Sequence, residues 1–201
     1  MNAVKLAVVL LAAVALGIWA DEGQRAPGFA GYLPELGTPW LVLAFAAGRS
    51  IPRWARWLAP VAAAASILLG LASYALFVHR RYGVDYEQVS GGDLGYWSWL
   101  GLGLGTLAGM LAFASRTGAA PLAWAALAAV PVAEIRLVER WGIDAHVRLA
   151  VTVLLIVVSL LLAGWAFVAM RRIPLIFGPL TALAAVVGWV GIGVLLDLGA
   201  L

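Results

Sequence analysis

The sequence predicts an all-α fold, a polytopic transmembrane helical bundle of seven spans that forms a single domain over residues 1–201, with a cytoplasmic N-terminus. Two observations carry the fold class. The chain is 64% hydrophobic and 11% charged, with a mean hydropathy of +1.00, whereas soluble domains are about half apolar and a quarter charged. Its apolar residues also come in runs of about 20, the length that crosses a membrane as a helix. So large an apolar excess requires lipid as the solvent.

Seven apolar segments are interpreted as spans, at residues 3–20, 36–50, 57–79, 94–115, 119–138, 146–170 and 173–197. The second is short and bounded by Pro34, Pro39 and Pro52, so we expect it to be tilted, broken or partly interfacial. The first ends in a segment that resembles a signal-peptide cleavage site, but its long apolar run favours a retained anchor.

The charges segregate along this predicted topology. With the N-terminus inside, the cytoplasmic side receives Lys and Arg residues only, and all ten Asp and Glu residues fall toward the opposite side. The slight excess of basic residues inside has the sign that the positive-inside rule requires. We therefore expect a multi-pass protein of the cell membrane, in contact with membrane lipid. Nothing in the sequence indicates its oligomeric state.

Several kinds of site are disfavoured by composition. There is no cysteine, which removes disulfides, thiolate metal sites and cysteine nucleophiles. His79 and His146 are the only histidines, too few for a histidine-rich metal site, and no spacing suggests a catalytic triad. The basic residues are dispersed, so nucleic acid is not expected as a partner. We predict no metal and no cofactor.

The stretch AAVPVAEIRLVERWG, residues 128–142, places a carboxylate inside an apolar span. Glu134 lies about 22 Å from the start of the fifth span at 1.5 Å per residue, within a hydrocarbon core of about 30 Å. A carboxylate at that depth must be paired, protonated or hydrated, and such residues are functional candidates by default. The alternative is a structural ion pair, for example with Arg148. Arg136 points to a different face and pairs better with Glu139.

Two further acids are expected near the same interface as Glu134. Asp21 ends the first span beside Glu22, a pair that is usually a solvated helix end, and Asp197 comes late in the seventh span. If Asp21, Glu134 and Asp197 converge, each raises the pKa of the others, and one of them can stay protonated as an acid.

The sequence contains ten Trp residues, and most of them suit interfacial belts, such as Trp54 and Trp57 on the inner side and Trp97, Trp99 and Trp141 on the outer side. Five aromatic residues are interpreted as too deep for a belt, where aromatic faces can stabilise cations or simply fill space: Tyr74, Trp165, Trp189, Trp19 and Trp124. The candidate substrate-binding residues are Trp19, Trp40, Tyr74, Trp97, Trp165 and Trp189.

Two other patterns have structural interpretations. Gly101, Gly105 and Gly109 recur every fourth residue in the fourth span, which predicts the close approach of a neighbouring helix. His79, Arg80 and Arg81 are expected to open a long outer loop that continues with Asp85 and Glu87, an arrangement that resembles a weak metal-diphosphate site but is more often only solvated.

The segment GTPWLVLAFAAGRSIPRWARW, followed by a run ending in LASYALF, resembles a family of small actinobacterial membrane proteins. In that family a Gly-x-Pro-Trp opens the second span and an acidic residue lies near the outer end of the fifth, as Glu134 does within AEI. The layout also resembles the small integral-membrane terpene cyclases of bacterial indole and diketopiperazine terpenoid pathways. This resemblance implies protonation of a terminal alkene or epoxide by Glu134, with Asp21 or Asp197 as its partner.

The sequence therefore favours a protonation-initiated terpene cyclase that acts on a hydrophobic prenylated small molecule in an aromatic-lined cavity. Two alternatives stay open. A small-solute or lipid carrier would use the same buried carboxylates to bind a proton or cation, and a non-catalytic membrane partner subunit would dock through the glycine stripe.

Overall fold

The computed structural model describes residues 2–23, 28–83, 94–170 and 177–197, and within these ranges it is all-α, without a strand. The all-α class that the sequence predicts is confirmed. The α-helices, numbered α1 to α7 in chain order, are Asn2–Gly23, Gly37–Ser50, Ala59–Tyr82, Leu94–Ala114, Ala120–Val138, Ala145–Met170 and Phe177–Asp197. Short 3₁₀ helices occupy Gly28–Gly31, Leu33–Glu35 and Arg53–Leu58.

Six of the described helical segments are long and apolar enough to cross a membrane, which makes the chain a multi-pass membrane protein. The exception is α2, whose 14 residues span only about 21 Å, less than a hydrocarbon core of about 30 Å. The expectation that the second segment is short is thereby confirmed. The predicted start of the last span, at residue 173, lies outside the described residues, as do Asp85 and Glu87.

Contacts divide the chain into two compact units, Met1–Phe113 and Ala114–Leu201. In the first unit, α1 and α3 run parallel, because contacts between them advance together along both helices. The Ser73 hydroxyl donates to the carbonyl of Val14 over 3.1 Å, and further along Tyr82 reaches Asp21. Close to the Ser73 contact, a side chain at Gly17 would overlap the Gly70 carbonyl, so the two backbones approach closely.

Helix α2 packs on the same part of α3. The Trp40 indole Nε1 donates to the Pro34 carbonyl over 2.9 Å, which fixes the ring at the start of α2. That ring lies against Gly70, where an added side chain would collide with it. Gly70 therefore accommodates both α1 and the Trp40 ring.

Helix α4 packs antiparallel to α3 through the predicted glycine stripe. A Cβ atom at Gly105 would lie 2.6 Å from the Ala64 Cα, and Gly101 and Gly109 are similarly close to Ile67 and Pro60. The close approach predicted from the four-residue spacing is thus confirmed.

The second unit is built around α5. Helix α6 packs antiparallel to it, since the Ser159 hydroxyl donates to the Ala128 carbonyl over 2.6 Å and Trp165 contacts the earlier Trp124. Helix α7 runs parallel to α5, because Ala133 contacts Gly188 and further contacts follow in the same order along both helices. In each unit, therefore, two helices separated by one intervening helix run parallel.

Candidate functional site around Glu134

Glu134 lies near the C-terminal end of α5, about 21 Å from the start of the helix and about 6 Å from its end at Val138. The residue is only 5% exposed, which confirms the prediction that its side chain is buried. Few acidic residues are buried to this extent in an apolar helix, because removing a carboxylate from water is costly. Glu134 is consequently the first candidate for a functional group.

The position of Glu134 on the helix circumference separates it from the faces that contact α6 and α7. At about 100° per residue, Glu134 shares a face with Leu127 and Val138, which are 1% and 0% exposed. The contacts with α7 come from the face of Ala133, and those with α6 from the face of Ala128. The carboxyl group is thus part of a third face of α5 that is apolar and buried.

Pro131 interrupts the backbone hydrogen bonds one turn before Glu134. Pro131 is buried inside α5 and has no N–H, so it cannot donate to the carbonyl of Leu127. Helical side chains lean toward the N-terminus, which directs Glu134 over this turn. The site therefore combines a carboxyl group with a backbone carbonyl that the helix ladder does not saturate.

Two ion pairs lie at the C-terminal side of Glu134. Arg136 Nη1 is 3.1 Å from Glu139 Oε2, the pairing that the sequence predicts, and the Arg136 guanidinium lies 5.7 Å from the centroid of the Trp189 ring. Beyond the helix end, Arg140 Nη2 is 3.1 Å from Asp197 Oδ1. The exposed fraction of these side chains rises from 33% at Arg136 to 70% at Asp197, so the transition from buried to exposed groups takes place within two turns of Glu134.

An aromatic pair lies on the other side of Glu134, toward the start of α5. The rings of Trp124 and Trp165 meet edge to face, with centroids 5.0 Å apart and an angle of 67° between their planes. Trp124 is completely buried, whereas Trp165 is 39% exposed. Trp124 precedes Glu134 by about 15 Å along the helix, so the segment between the acid and the aromatic pair is lined by small and aliphatic residues of α5.

The two predicted partner acids, Asp21 and Asp197, differ from each other in exposure and in their ion pairs. The Asp197 side chain is 70% exposed and is paired with Arg140. Asp21 belongs to the first unit and is 5% exposed, so the expectation of a solvated helix end is wrong for Asp21, although Glu22 is exposed. The acid roles of Asp21 and Asp197 stay predictions.

Asp21 is part of a polar cluster that sequence reasoning missed. Its Oδ2 accepts a hydrogen bond from the Tyr82 hydroxyl over 3.2 Å and lies 3.9 Å from Arg81 Nη1, while Arg81 also forms an ion pair with Glu22. The sequence placed Arg81 in an outer loop, but α3 continues to Tyr82. Basic residues in a last helical turn interact favourably with the helix dipole, and that pattern was the available signal.

The predicted substrate-binding aromatics fall in both units. Trp19 and Trp97 are 40% and 44% exposed, and both belong to the first unit. Trp40 and Tyr74 are half-buried in the same unit. The second unit holds Trp165, paired with Trp124, and the half-buried Trp189, which lies beneath Arg136.

One carboxyl group outside the helices is perturbed. Desolvation raises the pKa of Glu35 above its ordinary value, although part of its side chain is exposed. Glu35 ends the 3₁₀ helix that precedes α2, and its raised pKa makes the stability of the folded chain depend on pH.

No cluster of three or more His, Asp or Glu side chains that could hold a metal ion occurs within residues 2–23, 28–83, 94–170 and 177–197. Comparisons of the chain with protein-family models, with curated proteins and with solved structures gave no match.

Proposed function

We propose that the protein is a membrane-embedded terpene cyclase that starts cyclisation of a prenyl chain by protonation, with Glu134 as the acid. The observation that carries this proposal is the burial of Glu134 on an apolar face of α5, beside Pro131. The proposed reaction uses Glu134 in its neutral form, because only a neutral carboxyl group can donate a proton to an alkene.

The proposed reaction needs one carboxyl group that first donates a proton and later accepts one. The Glu134 carboxyl gives its proton to a terminal alkene or epoxide of the prenyl chain, and a carbocation forms at the more substituted carbon. The π electrons of a second alkene then form the ring bond and move the positive charge along the chain. Loss of a proton from the last cation, with the Glu134 carboxylate as acceptor, restores the acid and gives a product of unchanged mass.

The aromatic pair toward the start of α5 supports the same proposal. Aromatic faces attract cations within about 6 Å, and Trp124 and Trp165 lie in the unit that carries Glu134. Apolar side chains between the acid and this pair would exclude water, which otherwise quenches a carbocation.

The direct test is turnover by the full chain in membranes. Farnesylated and geranylgeranylated small molecules, with and without a terminal epoxide, are incubated with the membranes, and products of unchanged mass are sought by chromatography and mass spectrometry. In D₂O, protonation of a terminal alkene places one stable deuterium on carbon in the product. Protonation of an epoxide gives a hydroxyl group, whose deuterium exchanges with water. Glu134→Gln keeps the size of the side chain and should abolish turnover, whereas the matched variant Glu139→Gln should retain it. Absence of any product from the wild type, or full turnover by Glu134→Gln, would refute the proposal.

A second candidate function is a carrier for a small solute or lipid, in which the buried Glu134 carboxyl group would bind a proton or a cation. Proton-dependent uptake of a solute into liposomes, lost in Glu134→Gln, together with no cyclic product, would favour this carrier over the cyclase.

We also propose seven crossings with the N-terminus in the cytoplasm. Because α1 and α3 are parallel, the chain between them must return across the thickness of the unit, and α2 is the helix described there. An α2 of 14 residues can do so with help from the flanking 3₁₀ helices. The slight excess of Lys and Arg residues on the predicted inner side favours the cytoplasmic N-terminus.

A further inference from the structure

The 3₁₀ helix Arg53–Leu58, called here the Arg-Trp segment, exposes two large aromatic side chains. Trp54 and Trp57 are 85% and 68% exposed, while Ala55 between them is 2% exposed. Ala55 has φ −108° and ψ 20°, outside the helical range, so the segment consists of two short turns joined at a residue that packs into the unit. The buried Ala55 fixes the segment with both indoles facing outward.

The flanking residues show which environment receives these indoles. Arg53 and Arg56 are exposed beside them, and arginine keeps its charged group at the water boundary. Indoles prefer the headgroup level of a bilayer, where one edge is apolar and the other hydrated. The alternation of Arg and Trp therefore places the segment among lipid headgroups, rather than in the hydrocarbon or in bulk water.

Among the residues that the structure describes at this end of the first unit, none carries a negative charge that could neutralise the arginines. The sequence contains no Asp or Glu between Glu35 and Asp85. Lys5 lies on the second turn of α1, which the parallel packing of α1 and α3 puts at the same end of the unit. Arg49, in the last turn of α2, adds another basic group immediately before the segment. A surface with these charges complements anionic headgroups.

Two of the guanidinium groups are positioned by aromatic rings. The Arg56 guanidinium lies 5.3 Å from the centroid of Phe113 in the last turn of α4, and that of Arg49 lies 6.0 Å from the centroid of Phe45. A guanidinium stacked on a ring keeps N–H donors along its edge, and these match two oxygens of a phosphate. The ring contacts also reduce the entropy that phosphate binding would cost.

We propose that Arg53 and Arg56 bind the phosphate of an anionic phospholipid, with Trp54 and Trp57 holding the glycerol and upper acyl region on either side. The ligand is a lipid of the membrane itself, and its phosphate is held by charge-assisted hydrogen bonds to the two arginines. This proposal does not depend on the cyclase reaction.

The test measures which lipids remain on the purified full chain. Protein is reconstituted in nanodiscs of equal parts phosphatidylcholine and phosphatidylglycerol, released in the mass spectrometer, and the retained lipids are counted. The wild type should retain phosphatidylglycerol preferentially. Arg53→Gln combined with Arg56→Gln should reduce the ratio of retained phosphatidylglycerol to phosphatidylcholine by roughly tenfold.

Controls separate a site from general attraction. Arg80 is an exposed arginine in the last turn of α3, and Arg80→Gln should leave the ratio unchanged. Inorganic phosphate at high concentration should not displace the lipid, because it offers nothing to the indoles, and Trp54→Ala should lower retention without changing the charge. If the double variant fails to fold, the single variant Arg53→Gln is measured in its place.

Three results would overturn the proposal. They are a wild type without preference for phosphatidylglycerol, an equal loss in Arg80→Gln, and displacement of the lipid by inorganic phosphate alone.

Discussion

The hydroxyl of Tyr82 donates a hydrogen bond to Asp21 Oδ2 over 3.2 Å and so joins the last turn of α3 to the last turn of α1. Two acids at the C-terminal end of α1 interact unfavourably with the negative end of the helix dipole. Asp21 is also buried, which adds a desolvation cost. Arg81 lies near both carboxylates and offsets this cost. The cluster thus fastens two parallel helices at one end of the first unit.

Tyr82→Phe removes only the hydroxyl and should lower the free energy of unfolding by about 1–2 kcal/mol, because a buried carboxylate loses a hydrogen-bond donor. The measurement is reversible unfolding of the purified protein in mixed detergent micelles. The control is a double-mutant cycle with Asp21→Ala, which removes the acceptor oxygens. If Tyr82→Phe destabilises the Asp21→Ala background as much as the wild type, the hydrogen bond is not the cause.

Arg81→Gln should destabilise the protein more than Arg80→Gln, although both remove one positive charge from the same turn of α3. The Arg81 guanidinium forms ion pairs with Asp21 and Glu22. Its loss leaves the buried Asp21 carboxylate with less positive charge nearby. Since the Arg81 side chain is 37% exposed, we expect a loss of about 1–2 kcal/mol, measured by the same unfolding assay. Equal effects of the two variants would show that only net charge matters.

The sequence predicts the helices well because each depends on its own residues. Apolar runs placed α1 to α6 within a few residues of their observed ends, and a three-residue spacing identified the Arg136–Glu139 pair. The burial of Glu134 followed from its depth in a helix alone. These features all follow from local periodicity.

The missed features depend on which helices become neighbours. Asp21 is buried because the end of α3 lies beside the end of α1, and nothing within the first span indicates this. The extension of α3 to Tyr82 was missed because polar residues after an apolar run were assigned to a loop, although Arg and His also suit a helix C-terminus. The pairing of Trp124 with Trp165 is a tertiary contact of the same kind.

Gly105→Ala should destabilise the first unit, because its Cβ would lie 2.6 Å from the Ala64 Cα and force α3 and α4 apart. We expect a loss of about 1–3 kcal/mol in the unfolding assay. The matched control is Gly103→Ala in the same helix, where nothing lies within 4 Å of an added Cβ. That variant should be neutral or slightly stabilising, since alanine has the higher helix propensity. Equal destabilisation by both variants would contradict close packing at Gly105.

Glu35→Gln should make stability less dependent on pH. Because desolvation raises the folded-state pKa of Glu35 above its ordinary value, the folded chain holds this proton more tightly than the unfolded chain does. The stabilisation by protonated Glu35 is present at low pH and is lost as the pH rises through the folded-state pKa. The thermal midpoints of wild type and variant, followed upward from about pH 4, should therefore diverge in favour of the variant. Parallel curves would contradict the raised pKa.

The absence of cysteine makes the proposed topology testable with single introduced thiols. In the proposed topology Trp54→Cys and Gly118→Cys face the cytoplasm, while Arg80→Cys and Gly142→Cys face outward. All four residues are exposed. A membrane-impermeant maleimide should label the outward pair in intact cells and the cytoplasmic pair only after permeabilisation. Labelling of positions 54 and 80 from the same side would show that α3, which lies between them, does not cross the membrane. The reverse pattern at all four positions would instead place the N-terminus outside, so that the carboxylate-rich end of α5, one turn beyond Glu134, would face the cytoplasm.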